Sequence, residues 1–164
     1  FDSAELEKFF DERFYKALDA NPSIITAVLA SGERDVGEIV KKVNALKNIA
    51  ESDEFKEIFT TFKRVANISK DIDLESELPV DPACFEKEEE KALYEAFRAV
   101  VEKTYDNYEM QLDALFGLKP QLDRFFDNVM VNAEDEKLRT NRRNLVGSIY
   151  KAFKTVADIK EISI

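Results

Sequence analysis

Apolar side chains recur three and four positions apart along most of the chain, the spacing that places them on one face of an α-helix. No alternating run of β-branched residues competes with this pattern. With 164 residues, the chain is long enough for one hydrophobic core and too short for two large ones. We therefore expect an all-α fold, a helical bundle of about seven helices that forms one domain over residues 1–164.

Capping and stop residues set the predicted helix boundaries. Asp35 with Glu38 three positions later predicts a capped start, and Gly32 and Gly117 predict helix ends. The predicted helices cover approximately residues 3–18, 22–31, 36–46, 53–70, 86–116 with a break near Asp106, 120–129 and 135–157.

One long stretch lacks the helical pattern. Residues 71–85 are acidic and contain Pro79 and Pro82, which interrupt helices. This stretch is either a surface loop or a crossover between two layers of helices, and both alternatives fit the sequence.

The composition excludes most catalytic chemistry. The chain has no His and a single Cys, which removes Ser-His-Asp triads, Cys-His pairs and zinc sites built on His or several Cys. Its four Gly residues are scattered, so no Gly-rich phosphate loop is present. The acids clustered at residues 86–90 point to different faces of a helix, which does not suit a metal ion. We expect no catalytic, cofactor-binding or metal site in this chain.

The net charge of −10 argues against a nucleic-acid partner until its distribution is considered. Residues 71–90 carry nine acidic side chains and one Lys, a local charge of −8. Residues 137–154 carry six Lys and Arg without an acid, and residues 60–70 carry three. The separate acidic and basic zones leave RNA binding open.

The last predicted helix carries a basic and aromatic strip. On a helical wheel, Arg139, Arg143, Tyr150 and Lys154 lie between about 120° and 180° from Leu145. Cations bind phosphates and an aromatic ring stacks on bases, the combination with which proteins bind single-stranded RNA loops. The alternative is an ordinary solvated helix face.

Two polar residues of the same helix, Asn141 and Arg142, fall within or beside its apolar stripe. Buried polar groups need partners. We expect an internal anchor, with Arg142 paired to Asp123 or Asp127 on the preceding helix.

The predicted helix at 53–70 has a similar arrangement. Lys63, Asn67 and Lys70 flank its apolar stripe, with Arg64 further round. Lys binds phosphate without strict geometry, and an Asn amide can read a base edge. A solvated surface again fits this helix viewed alone.

No apolar run approaches the roughly 20 residues that span a bilayer, and no signal-peptide pattern opens the chain. We expect a cytoplasmic protein without a membrane partner, and the lone Cys84 fits a reducing compartment. Because the chain begins at Phe1, we expect a C-terminal fragment of a longer subunit, cut at a domain boundary.

Five strings of the sequence are informative in their own right. They are FFDNVMVNAEDEKLRTNR at 125–142, FKRVANI at 62–68, VDP at 80–82 with Phe85, KALY at 91–94 and VADI at 156–159. In their order along the chain they resemble the C-terminal region of the bacterial glycyl-tRNA synthetase beta subunit. The resemblance covers nearly the whole chain, and the longest string is the specific one.

This resemblance implies a non-catalytic helical anticodon-binding module of the type shared with arginyl-tRNA synthetase. It implies a parent aminoacyl-tRNA synthetase, a ligase that joins glycine to its tRNA with ATP, while this fragment itself binds no cofactor. The implied partners are the anticodon arm of the tRNA, the alpha subunit and the rest of the beta subunit, in an α2β2 heterotetramer.

An anticodon-binding module contacts RNA, so the resemblance favours a binding role for the basic strips. The residues expected to bind tRNA are Lys63, Arg64, Asn67, Lys70, Arg139, Arg142, Arg143 and Tyr150. Lys63 and Arg139 are the stronger RNA candidates, whereas Arg142 and Asn141 are the stronger candidates for bracing the fold.

Three positions depart from the family pattern. Ser69 and Arg143 stand where apolar residues are usual, and Thr155 stands where Arg is common. We expect different local packing and one RNA contact fewer.

A second function remains open. The chain could be a non-catalytic protein-docking module within a multisubunit assembly, with the acidic segment at 71–90 as its interaction surface. Convergence of the cations on one exposed patch would favour RNA, and their pairing with Asp and Glu would favour docking.

Overall fold

The computed structural model describes residues 21–162, and every regular element in that range is helical. The α-helices are α1 Pro22–Ala30, α2 Val36–Ala50, α3 Phe55–Ser69, α4 Glu88–Val101, α5 Tyr108–Phe116, α6 Lys119–Asn128 and α7 Glu136–Lys154. Short 3-10 turns lie at Pro82–Cys84 and Ile159–Glu161. The predicted all-α class is confirmed for this part of the chain, and the helix predicted over 3–18 lies outside the described residues.

The predicted capping residues begin their helices. Asp35 Oδ1 accepts the Glu38 N–H at 3.0 Å at the start of α2. The Glu38 carboxylate does not complete a capping box, because it accepts the hydroxyl of Tyr108 on α5 instead. That hydrogen bond, with burial, raises the pKa of Tyr108 to about 12. After α1, Gly32 has φ 97, a left-handed conformation that suits the predicted glycine stop.

The core is built around aromatic rings from three helices. Phe62 of α3, Phe116 of α5 and Phe153 of α7 lie with ring centroids 4.9–5.1 Å apart. All seven helices add buried side chains to the same hydrophobic cluster. The apolar positions Phe55, Phe59, Phe62, Val65 and Ala66 of α3 are buried and Ile58 is half-buried, whereas Val36 at the start of α2 is 44% exposed.

The segment at 71–85, which we call the strap, is a crossover from α3 to α4 that lies along α7. Asn144 Nδ2 donates to the Pro79 carbonyl at 2.9 Å. Beside it, a Cβ on Gly147 would lie 3.1 Å from Ile72 Cδ1 and 3.3 Å from Leu78 Cδ1, so glycine permits the close approach of the strap. The strap thus connects α3 to α4 while in contact with α7, and most of its residues are exposed.

Helix α7 ends at Lys154, three residues earlier than predicted, and the chain then folds back. Residues 156–162, the C-terminal turn, cross α1 and α3. The Asp158 N–H donates to the Ala27 carbonyl at 2.8 Å, and Ile159 and Ile162 are fully buried. The C-terminal turn thus covers part of α7 that the sequence pattern leaves open.

Candidate nucleic-acid interface

The eight predicted tRNA-binding residues differ widely in exposure. Two of them, Arg142 and Tyr150, are buried. The other six are exposed or half-buried: Arg64, Asn67 and Lys70 are exposed, and Lys63, Arg139 and Arg143 are half-buried. The six that reach the surface are the residues that can contact RNA.

The two adjacent cations of α3 diverge. Lys63 Nζ donates to the Lys160 carbonyl at 3.0 Å and lies 5.4 Å from the Phe59 ring centroid. The Arg64 guanidinium lies 4.5 Å over the Phe126 ring on α6. Because neighbouring helix positions are about 100° apart, the two side chains serve different sides of α3.

Arg142 anchors the interior, as expected, but its predicted acidic partner is wrong. Its Nε donates to Glu90 Oε1 on α4 at 2.8 Å, and its Nη1 donates to the Met130 carbonyl at 2.8 Å. Neither Asp123 nor Asp127 is its partner, because Asp123 pairs with Lys119 on its own helix. The sequence pattern identifies the buried polar position without showing which helix packs against it.

Both oxygens of the Glu90 carboxylate accept hydrogen bonds. Its second oxygen accepts the backbone N–H groups of Glu86 and Lys87, both at 2.8 Å. Burial raises the pKa of this carboxyl, but the hydrogen bonds from Arg142 and the two N–H groups outweigh that effect, so the pKa lies below its usual value. The pair is therefore charged and fixed in geometry at neutral pH.

Asn141 is a brace, as predicted. Its Oδ1 accepts the Asp81 N–H at 2.7 Å and its Nδ2 donates to the Asp81 carbonyl at 3.1 Å. This reciprocal pair ties the strap to the first half of α7.

The prediction that Tyr150 belongs to an exposed strip is wrong. Tyr150 is 4% exposed, and its hydroxyl donates to the carboxylate of Asp158 in the C-terminal turn. Burial, together with that hydrogen bond, raises the pKa of the tyrosine. A helical wheel treats α7 as isolated and omits the segment that returns over this face.

Two further predicted cations of α7, Arg139 and Arg143, are half-buried. Arg139 Nη1 donates to the Ala133 carbonyl at 3.2 Å, and Arg143 makes no hydrogen bond or ion pair within residues 21–162. Arg143 is one turn before Gly147, against which Ile72 packs. Lys70 is exposed and lies two residues before Ile72, whose side chain packs against Gly147 of α7.

Five of the six cations in the predicted set thus escape neutralisation by acids. Among residues 21–162, the ion pairs of the predicted set involve Arg142 alone. Lys63, Lys70, Arg139 and Arg143 form no ion pair with Asp or Glu in that range, and such pairing was the outcome that would favour docking. Convergence on one exposed patch was the outcome that would favour RNA; of these four residues only Lys70 is exposed, and the other three are half-buried.

A groove that the sequence pattern does not predict lies between α3 and the loop that joins α6 to α7. Its lining residues are Arg64, Ile68 and Phe126–Asn132, and its volume is about 520 Å³. Most of them belong to the long string at 125–142, so the string was the available clue. Periodicity gave no clue, because these residues leave the helical pattern at Val129.

Ser69 is a local exception in the packing of α3. It is 1% exposed, and its hydroxyl finds no hydrogen-bond partner among the described residues. Different local packing was expected at this position, and the structure places there a buried hydroxyl without a partner among residues 21–162.

The described range contains no group of three or more Cys, Asp or Glu side chains that could hold a metal ion. None of its helices is long and apolar enough to cross a membrane.

Comparison with known proteins gives two results. Residues 58–164 match the family described as the DALR anticodon binding domain. The whole chain is 38% identical to a protein named glycine–tRNA ligase beta subunit from Helicobacter pylori strain G27. Proteins of the same name are 37% identical over 98% of the chain in Thermotoga neapolitana and 34% identical over 96% in Methylobacillus flagellatus. The chain spans about a quarter of the length of these relatives, 24%, 25% and 23% respectively.

Proposed function

Because the chain belongs to the DALR anticodon binding domain family, we propose that it binds the anticodon arm of a tRNA. The observation that carries this proposal is the family match over α3 to the C-terminal turn, the part that holds every free cation considered above. The proposal treats residues 1–164 as one domain, and the hydrophobic cluster shared by all seven helices supports it.

The similarity to glycine–tRNA ligase beta subunits supports a more specific role. The chain would serve a cytoplasmic aminoacyl-tRNA synthetase that joins glycine to its tRNA with ATP. In this role the chain binds no cofactor, and the chemistry takes place elsewhere. Its partners would be glycine tRNA, an alpha subunit and the rest of the beta subunit in an α2β2 heterotetramer.

The binding mechanism rests on phosphate contacts from unpaired cations. Lys70 and Arg143 are the best placed, because, unlike Lys63, Arg64 and Arg139, they make no hydrogen bond, ion pair or ring contact within residues 21–162. The net charge of −10 opposes the approach of RNA, so we expect weak affinity for the chain alone. Further contacts elsewhere in a larger protein would add avidity.

A protein-docking role is the second candidate, supported by the surface of the strap. Asp71, Asp73, Glu75 and Glu77 are exposed, and none forms an ion pair with a residue in the described range. These unpaired carboxylates repel RNA and would complement a basic surface on a partner protein.

Fluorescence anisotropy with labelled glycine tRNA tests the proposal. For about four neutralised phosphates, log affinity falls against log salt with a slope near −3, about −0.7 for each contact. Lys70→Ala and Arg143→Ala each weaken binding and reduce the slope by about 0.7. The matched control is Lys41→Ala on α2, a 69% exposed lysine that precedes the family match.

The folded chain is verified by circular dichroism before each titration. Salt-independent binding, or no binding at low salt, contradicts the proposal and favours docking. A preference for the unaltered tRNA over one with a changed central anticodon base supports anticodon recognition.

A further inference from the structure

The loop between α6 and α7 is fixed at its backbone and open at its side chains. The Met130 carbonyl accepts from Arg142 at 2.8 Å, and the Ala133 carbonyl accepts from Arg139 at 3.2 Å. Ala133 is buried, whereas Met130 is 69% exposed and Asn132 is also exposed. A flexible, polarisable side chain therefore projects to solvent from a backbone that two arginines hold.

Arg64 and Phe126 also line this groove, and they form a cation–π pair. The Arg64 guanidinium lies over the Phe126 ring at 4.5 Å, so one planar face of the guanidinium is covered. Arg64 is exposed, which leaves its other face open to the groove. Guanidinium planes and thioethers both stack favourably on flat aromatic ligands.

Amide and carboxylate groups also line the same groove. Asn128 Nδ2 donates to the Arg124 carbonyl at 2.9 Å, which leaves its Oδ1 without a partner in the described range. Asn132 makes no hydrogen bond there, and Asp127 is exposed. These groups offer both donors and acceptors, as the edge of a base requires. Asp127 disfavours a phosphate in the same place.

We infer that this groove binds one unpaired nucleobase of the RNA loop, an inference that rests on the proposed tRNA-binding function. The base stacks between the Met130 side chain and the open face of Arg64. Asn132, Asn128 and Asp127 provide the groups that meet its edge. The cations at Lys70 and Arg143 hold phosphates, so affinity and base choice reside in different residues.

The buried pair of Arg142 and Glu90 positions the loop that carries Met130. Its Nη1 bond fixes the carbonyl of Met130, the residue that stacks on the base. Arg142 and Glu90 are thus positioning residues, which act on the base through the loop.

The test compares the chain's affinity for glycine tRNA with its affinity for the same tRNA carrying one altered anticodon base. Each anticodon position is altered in turn. Met130→Ala, Asn132→Ala and Arg64→Ala are measured beside matched controls. Met110→Ala removes another exposed methionine, 48% exposed on α5, and Arg98→Ala removes an exposed arginine on α4.

We expect Met130→Ala to weaken binding about tenfold or more, the scale of losing one stacked base. It should also reduce the preference for the unaltered tRNA at one anticodon position. Asn132→Ala should reduce that preference with a smaller loss of affinity. The controls should match the parent chain in both quantities.

The inference and the proposed function fail in different ways. If the parent chain prefers the unaltered anticodon and the loop variants keep that preference, the groove assignment is wrong and the tRNA-binding function stands. If the folded parent chain binds no tRNA, both are wrong.

A second variant tests positioning. Arg142→Lys keeps the charge but cannot keep both the Nε and the Nη1 bond. We expect a chain that is folded by circular dichroism and melting but shows reduced anticodon preference. Unchanged preference in a folded Arg142→Lys chain would overturn the positioning role.

Discussion

Two buried cations, Lys42 and Arg142, hold the two ends of α7 by the same means and in different surroundings. Lys42 Nζ donates to Glu33 at 2.8 Å and to the Thr155 carbonyl, just beyond α7, at 3.0 Å. Arg142 donates to Glu90 and to the Met130 carbonyl, just before α7. Each cation thus binds one carboxylate and one backbone carbonyl.

The surroundings of the two pairs differ in access to water. The Glu33 side chain is 21% exposed, whereas the Glu90 side chain is 1% exposed and bound by two further backbone N–H groups. Water can replace a lost partner at Glu33 but not at Glu90. The partly exposed pair of Lys42 and Glu33, the wetter pair, thus holds the chain just before the C-terminal turn. The buried pair of Arg142 and Glu90, the dry pair, fixes the loop that we assign to a base.

The largest effect is expected from breaking the dry pair. Arg142→Met leaves the Glu90 carboxylate buried without its cation, which costs about 3–5 kcal/mol of unfolding free energy. Urea denaturation followed by circular dichroism measures this loss. The double variant Arg142→Met with Glu90→Leu should recover much of it, because no uncompensated charge remains. A loss below about 1 kcal/mol in the single variant would contradict the dry-pair description.

A smaller effect is expected at the wetter pair. Lys42→Met keeps the bulk of the side chain in its site, and the Glu33 carboxylate turns to water, so we expect a loss of about 1–2 kcal/mol. The neighbouring Lys41→Met, at a 69% exposed position, serves as the control and should change stability little. A loss equal to that of Arg142→Met would remove the distinction between the two pairs.

Acid should produce the smallest effect at these pairs, because a protonated carboxyl stays in its site and can still accept a hydrogen bond from its cation. The hydrogen bond from Lys42 lowers the pKa of Glu33 below its ordinary 4.5, and the pKa of Glu90 is also lowered, although burial opposes that shift. A carboxyl with a lowered folded-state pKa stabilises the fold above its unfolded-state pKa. That contribution is lost as the pH falls below 4.5 and through the folded-state pKa.

Melting temperatures measured between neutral pH and pH 3 test this sign. The double variant at Arg142 and Glu90 should lose less stability on acidification than the parent chain. A parent chain that becomes more stable on acidification through this range would contradict the lowered pKa values.

The residues around the dry pair show how much of the fold the sequence could predict. Arg142 and Asn141 stood out because they interrupt an apolar stripe, so their bracing role followed from helical periodicity. The partner Glu90 did not follow, because periodicity describes one helix and says nothing of which helix faces it. The prediction that Tyr150 is exposed failed for a related reason. The C-terminal turn covers that face of α7, and a helical wheel of one helix does not include the turn.

The path of the strap and the geometry of the groove could not be predicted from the sequence. Proline and acidic residues showed that 71–85 is not helical, yet its path along α7 depends on Gly147 and Asn144, far away in the sequence. The groove depends on Arg64 and Phe126 from different helices. Only the resemblance carried by the string at 125–142 pointed toward it, and it did so without geometry.

Photochemical cross-linking tests the central claim most directly. Glycine tRNA carrying 4-thiouridine at a single anticodon position is bound to the folded chain, irradiated, and the linked peptide is identified by mass spectrometry. The account predicts that one anticodon position links to residues 126–132, and that Met130→Ala abolishes this link while Met110→Ala leaves it. Links confined to α2 or α5, or spread evenly over the surface, would contradict the assignment of an anticodon base to this groove.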